Sequence, residues 1–201
     1  MNRPWSLLRD GRGASAAEFA LVLPLLLLFL LGIIDAGRFM WEYNKAEKAT
    51  QMGARYAVVT DMVPSGLAGY SFAISDSVLA GSPVPTSSFD SATCDTNSCS
   101  CVGGGVCGTI GYNAAAFDAI VARMKQMYPP ITDANVRVDY RNVGLGYAGD
   151  PNGPDVAPLV TVRLTQLQFR PITLMLFRGN FNMPDFRAAL TLEDGSGTVA
   201  N

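Results

Sequence analysis

The chain has 201 residues, 49% of them hydrophobic and only 16% charged, with a net charge of -2; that is room for one modest domain plus an anchoring segment. A slightly negative chain has no basic field with which to hold nucleic acid. It contains no histidine, which excludes His-based triads, His–Cys proteases and most zinc enzymes.

The first thirteen residues carry Arg3, Arg9 and Arg12 against Asp10, a side-chain charge of +2. From Phe19 to Ile34 no charged or hydrogen-bonding side chain interrupts sixteen residues, and Glu18 stands directly before that run. Ala14 to Ile34 makes 21 residues, about 31 Å at the helical rise of 1.5 Å per residue, or about one hydrocarbon thickness. The flank beyond is mixed: Asp35, Arg38, Glu42, Lys45, Glu47 and Lys48. The positive-inside bias therefore keeps the N-terminus in the cytoplasm and sends the remainder across the membrane. An ordinary secretory signal has an apolar core of about 7–15 residues and ends in a small-x-small cleavage site. Here the run is longer, and Ile34-Asp35-Ala36 puts an isoleucine where a small residue is preferred.

The stretch G-A-S-A-A-E-F-A-L-V-L-P-L-L-L-L-F-L-L-G-I-I-D-A-G-R resembles the N-terminus of TadE-like proteins, the pseudopilins of the tight-adherence (Tad, or Flp-type) pilus system. The resemblance carries over at Gly13, Ala14, Glu18 and Phe19, then through Leu23, Pro24, Gly32, Asp35 and Gly37, and more loosely into the Ala-rich segment from Gly53 to Ala57. The closing Arg187–Glu193 resembles the short strand that often ends such domains. The motif covers about a fifth of the chain, and the middle, roughly residues 62 to 180, is not diagnostic. It implies a leader of residues 1–13 cut by a prepilin peptidase between Gly13 and Ala14. Glu18 becomes the fifth residue of the mature chain. The implied setting is the bacterial inner membrane, crossed once, with the N-terminus cytoplasmic, the C-terminal domain periplasmic, and incorporation into an extracellular pilus open. The implied partners are the prepilin peptidase, the major pilin and other pseudopilins through the N-terminal helix, and membrane lipid. No von Willebrand-type insertion is recognisable, which disfavours the larger TadG-like relatives.

Elementary electrostatics gives Glu18 a task in that setting. Cutting after Gly13 creates a positive amine on Ala14, about one helical turn away, and such a pair gains far more in lipid than in water. Pairing within a subunit or with a neighbour's amine would set axial register. A carboxylate near the first turn also complements the positive end of the helix dipole. The competing reading leaves Glu18 solvated at headgroup depth.

The helix is expected to continue to about residue 62. Phe39, Tyr43, Ala46, Thr50, Gly53 and Ala57 form one stripe at alternating steps of four and three. Its small residues permit close approach of another backbone, or packing on the chain's own domain. Asp35–Arg38 and Glu42–Lys45 are i,i+3 pairs that favour a solvated face. Pro64 ends the helix, and Pro24 is the expected kink inside lipid. The expected organisation is a leader (1–13), a helix (14–62, membrane-spanning over 14–34) and an α+β domain (63–201).

Residues 64–112 read as loop, with a short helix over Phe72–Leu79. Cys94, Cys99, Cys101 and Cys107 fall within fourteen residues, and behind a membrane segment they point to disulfides in an oxidising compartment. A Cys99–Cys101 bridge would be strained, leaving 94–99 with 101–107, or 94–101 with 99–107. A four-cysteine metal site lacks the paired C-x2-C knuckles. Gly103-Gly104-Gly105 has no strand, lysine or helix start beside it to make a phosphate loop.

Asn113 caps a second helix whose apolar face is Phe117, Ile120, Val121, Met124 and Tyr128, stopped by Pro129-Pro130. Strands follow: Val136–Tyr140 by alternation, a longer one over Leu159–Phe169, Ile172–Phe177 as an apolar core strand with membrane surface or partner interface as its alternatives, and Ala188–Leu192. Asp150, Asn152 and Asp155 have the spacing of a weak calcium loop, though Asp-Pro and Asn-Gly also make a plain turn.

The fold expected is thus α+β: a long N-terminal transmembrane, pilin-like helix followed by a small domain of helix packed on an antiparallel sheet. No catalytic constellation stands out, so the reading is structural rather than enzymatic, with no cofactor. The alternative is a membrane-anchored adhesin or binding module that uses the disulfide loop.

Overall fold

A computed structural model of the protein describes residues 14–175, 179 and 181–195. The chain divides into two compact units: Met1–Trp41 with Phe169–Phe181, and Glu42–Gln168 with Asn182–Asn201. A single helix, α1 (Ala14–Ala57), contributes residues to both. The architecture is the α+β arrangement expected: a long apolar N-terminal helix, then helices and an antiparallel sheet.

The larger unit is built on a five-stranded sheet of order β2-β1-β3-β4-β7: β1 Phe89–Cys94, β2 Cys99–Gly103, β3 Val136–Arg141, β4 Leu159–Leu164 and β7 Phe186–Thr191. Every neighbouring pair is antiparallel. Alternation decides the faces. Val136, Val138 and Tyr140 of β3 lie beside Leu164, Val162 and Val160 of β4 in register, and all six are buried. The helix α4 (Ala114–Met127) buries Phe117, Ile120, Val121 and Met124, and Met124 and Val162 of β4 both border Gly53 of α1. Burying each such side chain contributes about 1.5–3 kcal/mol. Asn113 caps α4, its side-chain oxygen accepting from the Ala116 amide at 3.1 Å.

The end of α1 belongs to this core: Ala46, Ala49, Thr50, Ala54 and Ala57 are buried. At Gly53 a Cβ would lie 2.7 Å from Met124 Cγ and 3.4 Å from Val162 Cγ1. The small stripe thus packs over this length on the chain's own domain. The helix stops at Ala57 rather than residue 62. Beyond it the Val58 carbonyl accepts from the amides of Glu193 and Asp194, a tertiary partner in place of further helix.

Other expectations are corrected. The supposed loop over 64–112 contains β1 and β2, and Phe89, Cys94 and Val106 within it are buried. Ahead of β1, α2 (Ser65–Ala68) and α3 (Phe72–Ser75) are single turns; α3 ends at Ser75, with Asp76 as its cap and Ser77 at φ 55° beyond. The strand read over Leu159–Phe169 breaks after Leu164, where Gln166 takes φ 58°, and resumes as β5 (Gln168–Phe169), paired with β6 (Phe181–Asn182). Ile172–Phe177 is not a core strand: Ile172–Met175 forms a helical turn, α5, and residues 176 and 177 lie outside those described.

Candidate functional site

The smaller unit holds the membrane-anchor residues. Along α1 from Phe19 to Ile34 the large apolar side chains are exposed, among them Phe19, Leu21, Leu25, Phe29 and Ile33. Among the described residues α1 is the one helix long and apolar enough to cross a membrane. It has the form of a single-pass anchor near the N-terminus. Glu18 is exposed at the edge of the run, four residues after Ala14 in the same helix; residues at that spacing share a helix face. Gly13, the other half of the expected cleavage pair, lies outside the described residues, as do Arg3, Arg9, Asp10 and Arg12. Pro24 sits inside α1, where it has no N–H to give the Ala20 carbonyl.

At the far end of the apolar run stands a feature the sequence did not disclose. The expected i,i+3 pair with Arg38 is present at 3.3 Å, but Asp35 itself is buried rather than solvated. Its Oδ1 accepts from the Ile172 amide at 2.7 Å and from Arg38 Nη1 at 3.3 Å. Its Oδ2 accepts from the Thr173 amide at 2.8 Å and the Thr173 hydroxyl at 2.7 Å. Arg38 also donates to the Arg170 carbonyl at 3.4 Å and lies 5.5 Å from the centre of the Phe169 ring. Phe39, Phe169 and Phe181 form a ring cluster with centroids 5.3–5.6 Å apart. One carboxylate thus ties segment 169–181 to the helix. Local pattern carried no signal for it, because the donors are more than 130 residues away in sequence.

The other expected site residues fall in the larger unit. Of the two cysteine pairings left open, the structure has Cys94–Cys99 and Cys101–Cys107. The first closes the β1–β2 hairpin at a directly opposed pair, and the second ties β2 to the 3-10 turn at Gly105–Thr109. The hairpin turn is held by Asp95, which accepts from the amides of Asn97 at 3.0 Å and Ser98 at 3.1 Å.

Asp150, Asn152 and Asp155 do come together, as a braced turn. Asp155 is buried; its Oδ1 accepts from the Asp150 amide at 3.1 Å and its Oδ2 from the Phe72 amide at 2.8 Å. The Asp150 carboxylate accepts from the Asn152 amide at 2.9 Å. Both carboxylates are engaged by backbone. Among the described residues no three Cys, Asp or Glu side chains converge to hold a metal.

Such an arrangement defines a class before a family: a single exposed apolar helix at the N-terminus, continuous with a small disulfide-containing α+β domain. Residues 13–55 match the family model of TadE-like proteins, so over this helix the chain is similar to a family of the Tad pilus system. No curated protein and no solved structure matched the chain.

Proposed function

We propose that this chain is a pilin-like minor subunit, a pseudopilin, that primes or joins assembly of a Tad/Flp-type pilus. In this reading α1 anchors it in the bacterial inner membrane, with the N-terminus cytoplasmic and the α+β domain periplasmic. Prepilin peptidase removes residues 1–13, and the new Ala14 amine pairs with Glu18 of the same or a neighbouring subunit. The major pilin and other pseudopilins meet it along the apolar helix. The role is structural and calls for no cofactor or catalysis. The observation that carries it is the TadE-like match over residues 13–55, which falls on a helix whose apolar residues are exposed. The test is the N-terminal mass of the protein from cells holding the peptidase. A chain beginning at Ala14 is expected, and a chain retaining Met1 overturns the processing step. Glu18→Ala should be cut normally yet fail to support piliation; normal piliation refutes the register role.

An adhesin-like reading has one observation in its favour: β2 is an edge strand with Val102 exposed. Deleting residues 94–107 cannot test it, because Cys94 is core. Val102→Asp changes only the exposed face. Lost adhesion with pili intact would support the adhesin, and unchanged adhesion would dismiss that face.

A further inference from the structure

With Ala14–Glu18 taken as the boundary rather than counted in the span, the apolar run is short for its task. Phe19–Ile34 spans about 24 Å as helix, against a hydrocarbon core of about 30 Å. If Glu18 marks one boundary, the missing length lies beyond Ile34. There the sequence reads Asp35-Ala36-Gly37-Arg38-Phe39-Met40-Trp41, and both of its charged side chains are tied to segment 169–181. Asp35 is 6% exposed and saturated by the Ile172 and Thr173 amides, the Thr173 hydroxyl and Arg38. Arg38 is drawn onto Asp35, the Arg170 carbonyl and the Phe169 ring. Outward this stretch turns apolar side chains, Met40 57% and Trp41 65% exposed on the helix and Ile172 38% and Phe181 43% on the tied segment, together with two cations suited to phosphate headgroups, the exposed Arg170 and the part-exposed Arg38.

The geometry points to a lipid-facing collar: residues 35–41 of α1 together with residues 169–173 and Phe181 sit in the headgroup region of the bilayer, with Met40, Trp41, Ile172 and Phe181 against lipid. The collar lengthens the apolar surface to Phe19–Trp41, about 34 Å as helix, and places a tryptophan where its amphipathic ring is favoured, at the membrane–water boundary. The buried Asp35 carboxylate is tolerated at that depth because its hydrogen bonds are met from within the unit. The collar is therefore a second membrane contact supplied from the C-terminal part of the chain. It rests on the membrane-anchor reading above.

The test uses the full chain in vesicles of phosphatidylethanolamine and phosphatidylglycerol. Nitroxide labels go on cysteines introduced singly at Leu28, Ile172, Phe181 and, as an aqueous control, the exposed Ile74. Labels at 172 and 181 should collide with a water-soluble nickel chelate severalfold less often than the label at 74, while the label at 28 reads hydrocarbon. Asp35→Ala should return 172 and 181 to the value at 74 without changing 28. If 172 and 181 match 74 while 28 stays protected, the collar is wrong and the anchor stands. If 28 is also aqueous, the anchor reading itself fails. Protection at 172 and 181 that arises only in assembled pili assigns the surface to a neighbouring subunit and overturns the lipid proposal. A second measurement needs no change in the collar: in a Trp5→Phe chain, brominated lipid should quench Trp41 emission, and unquenched emission refutes the placement.

Discussion

The contact between Gly53 and Met124 separates two roles for the small-residue stripe of α1, own-domain core or subunit interface. A Cβ at position 53 would stand 2.7 Å from Met124 Cγ, 2.8 Å from its sulfur and 3.4 Å from Val162 Cγ1. Met124 and Val162 are both fully buried, so neither has an open direction in which to retreat. Gly53→Val should therefore cost about 1–3 kcal/mol by overpacking, of which helix propensity returns only about 0.3–0.5 kcal/mol. Met124→Ala alone should cost about 2–5 kcal/mol through the cavity it leaves. Combined, the valine methyls enter the space the methionine vacates, and the double variant should be more stable than the sum predicts by at least about 1 kcal/mol. Urea unfolding of the full chain in detergent, followed by near-ultraviolet circular dichroism, measures all four corners of the cycle. Additivity within about 0.5 kcal/mol would refute the packing argument. Unchanged stability of Gly53→Val with failed assembly would move Gly53 to a subunit interface.

The same assay reads other parts of the larger unit. Tyr140 is fully buried and its hydroxyl accepts from the Val63 amide at 3.2 Å; Tyr140→Phe orphans that amide and should cost about 1–3 kcal/mol, whereas a neutral result would mean another acceptor serves Val63. Burial first, then the charge of Glu42 and the hydrogen bond to it at 3.2 Å, push the Tyr128 phenol up to about 12. Its contribution is complete below the ordinary tyrosine value of about 10 and is lost as pH rises through about 12. Wild-type stability should fall over that window more steeply than that of Tyr128→Phe, and equal slopes would refute the assignment. Replacing Cys101 and Cys107 by serine opens a loop with a sequence separation of 6, at a chain-entropy cost of about 2 kcal/mol. Replacing Cys94 and Cys99 by alanine should cost more, since Cys94 is buried as well; the reverse order would refute that ranking.

Elements with a strong period were legible from residue types alone. The α4 face from Phe117 to Tyr128 and the alternation of Val136, Val138 and Tyr140 became core as expected. The strands Phe-Asp-Ser-Ala-Thr-Cys and Cys-Ser-Cys-Val-Gly did not declare themselves, because polar and small residues give no alternation. Their pairing comes from each other, from two disulfides and from the sequence-distant β3, none of which a side-chain period reports. Ile172–Met175 misled for the opposite reason: a short apolar run fits a strand or a helical turn equally well, and Asp35, remote in sequence, binds its leading amides. Of the candidate site, the edge position of Glu18 and the apolar run were plain in the sequence, while the fastening at Asp35 was not.

That fastening also imposes an order in time. Asp35 emerges from the ribosome 137 residues before the first amide that will bind it, which at 5–20 residues per second is about 7–27 s. Through that interval the helix is already available for insertion, with its boundary carboxylate still compensated by water. Burial of Asp35 waits for the last part of the chain to be made. A ribosome that stalls before residue 172 would leave an inserted helix whose border charge remains hydrated, and whose resting depth differs from that of the finished protein.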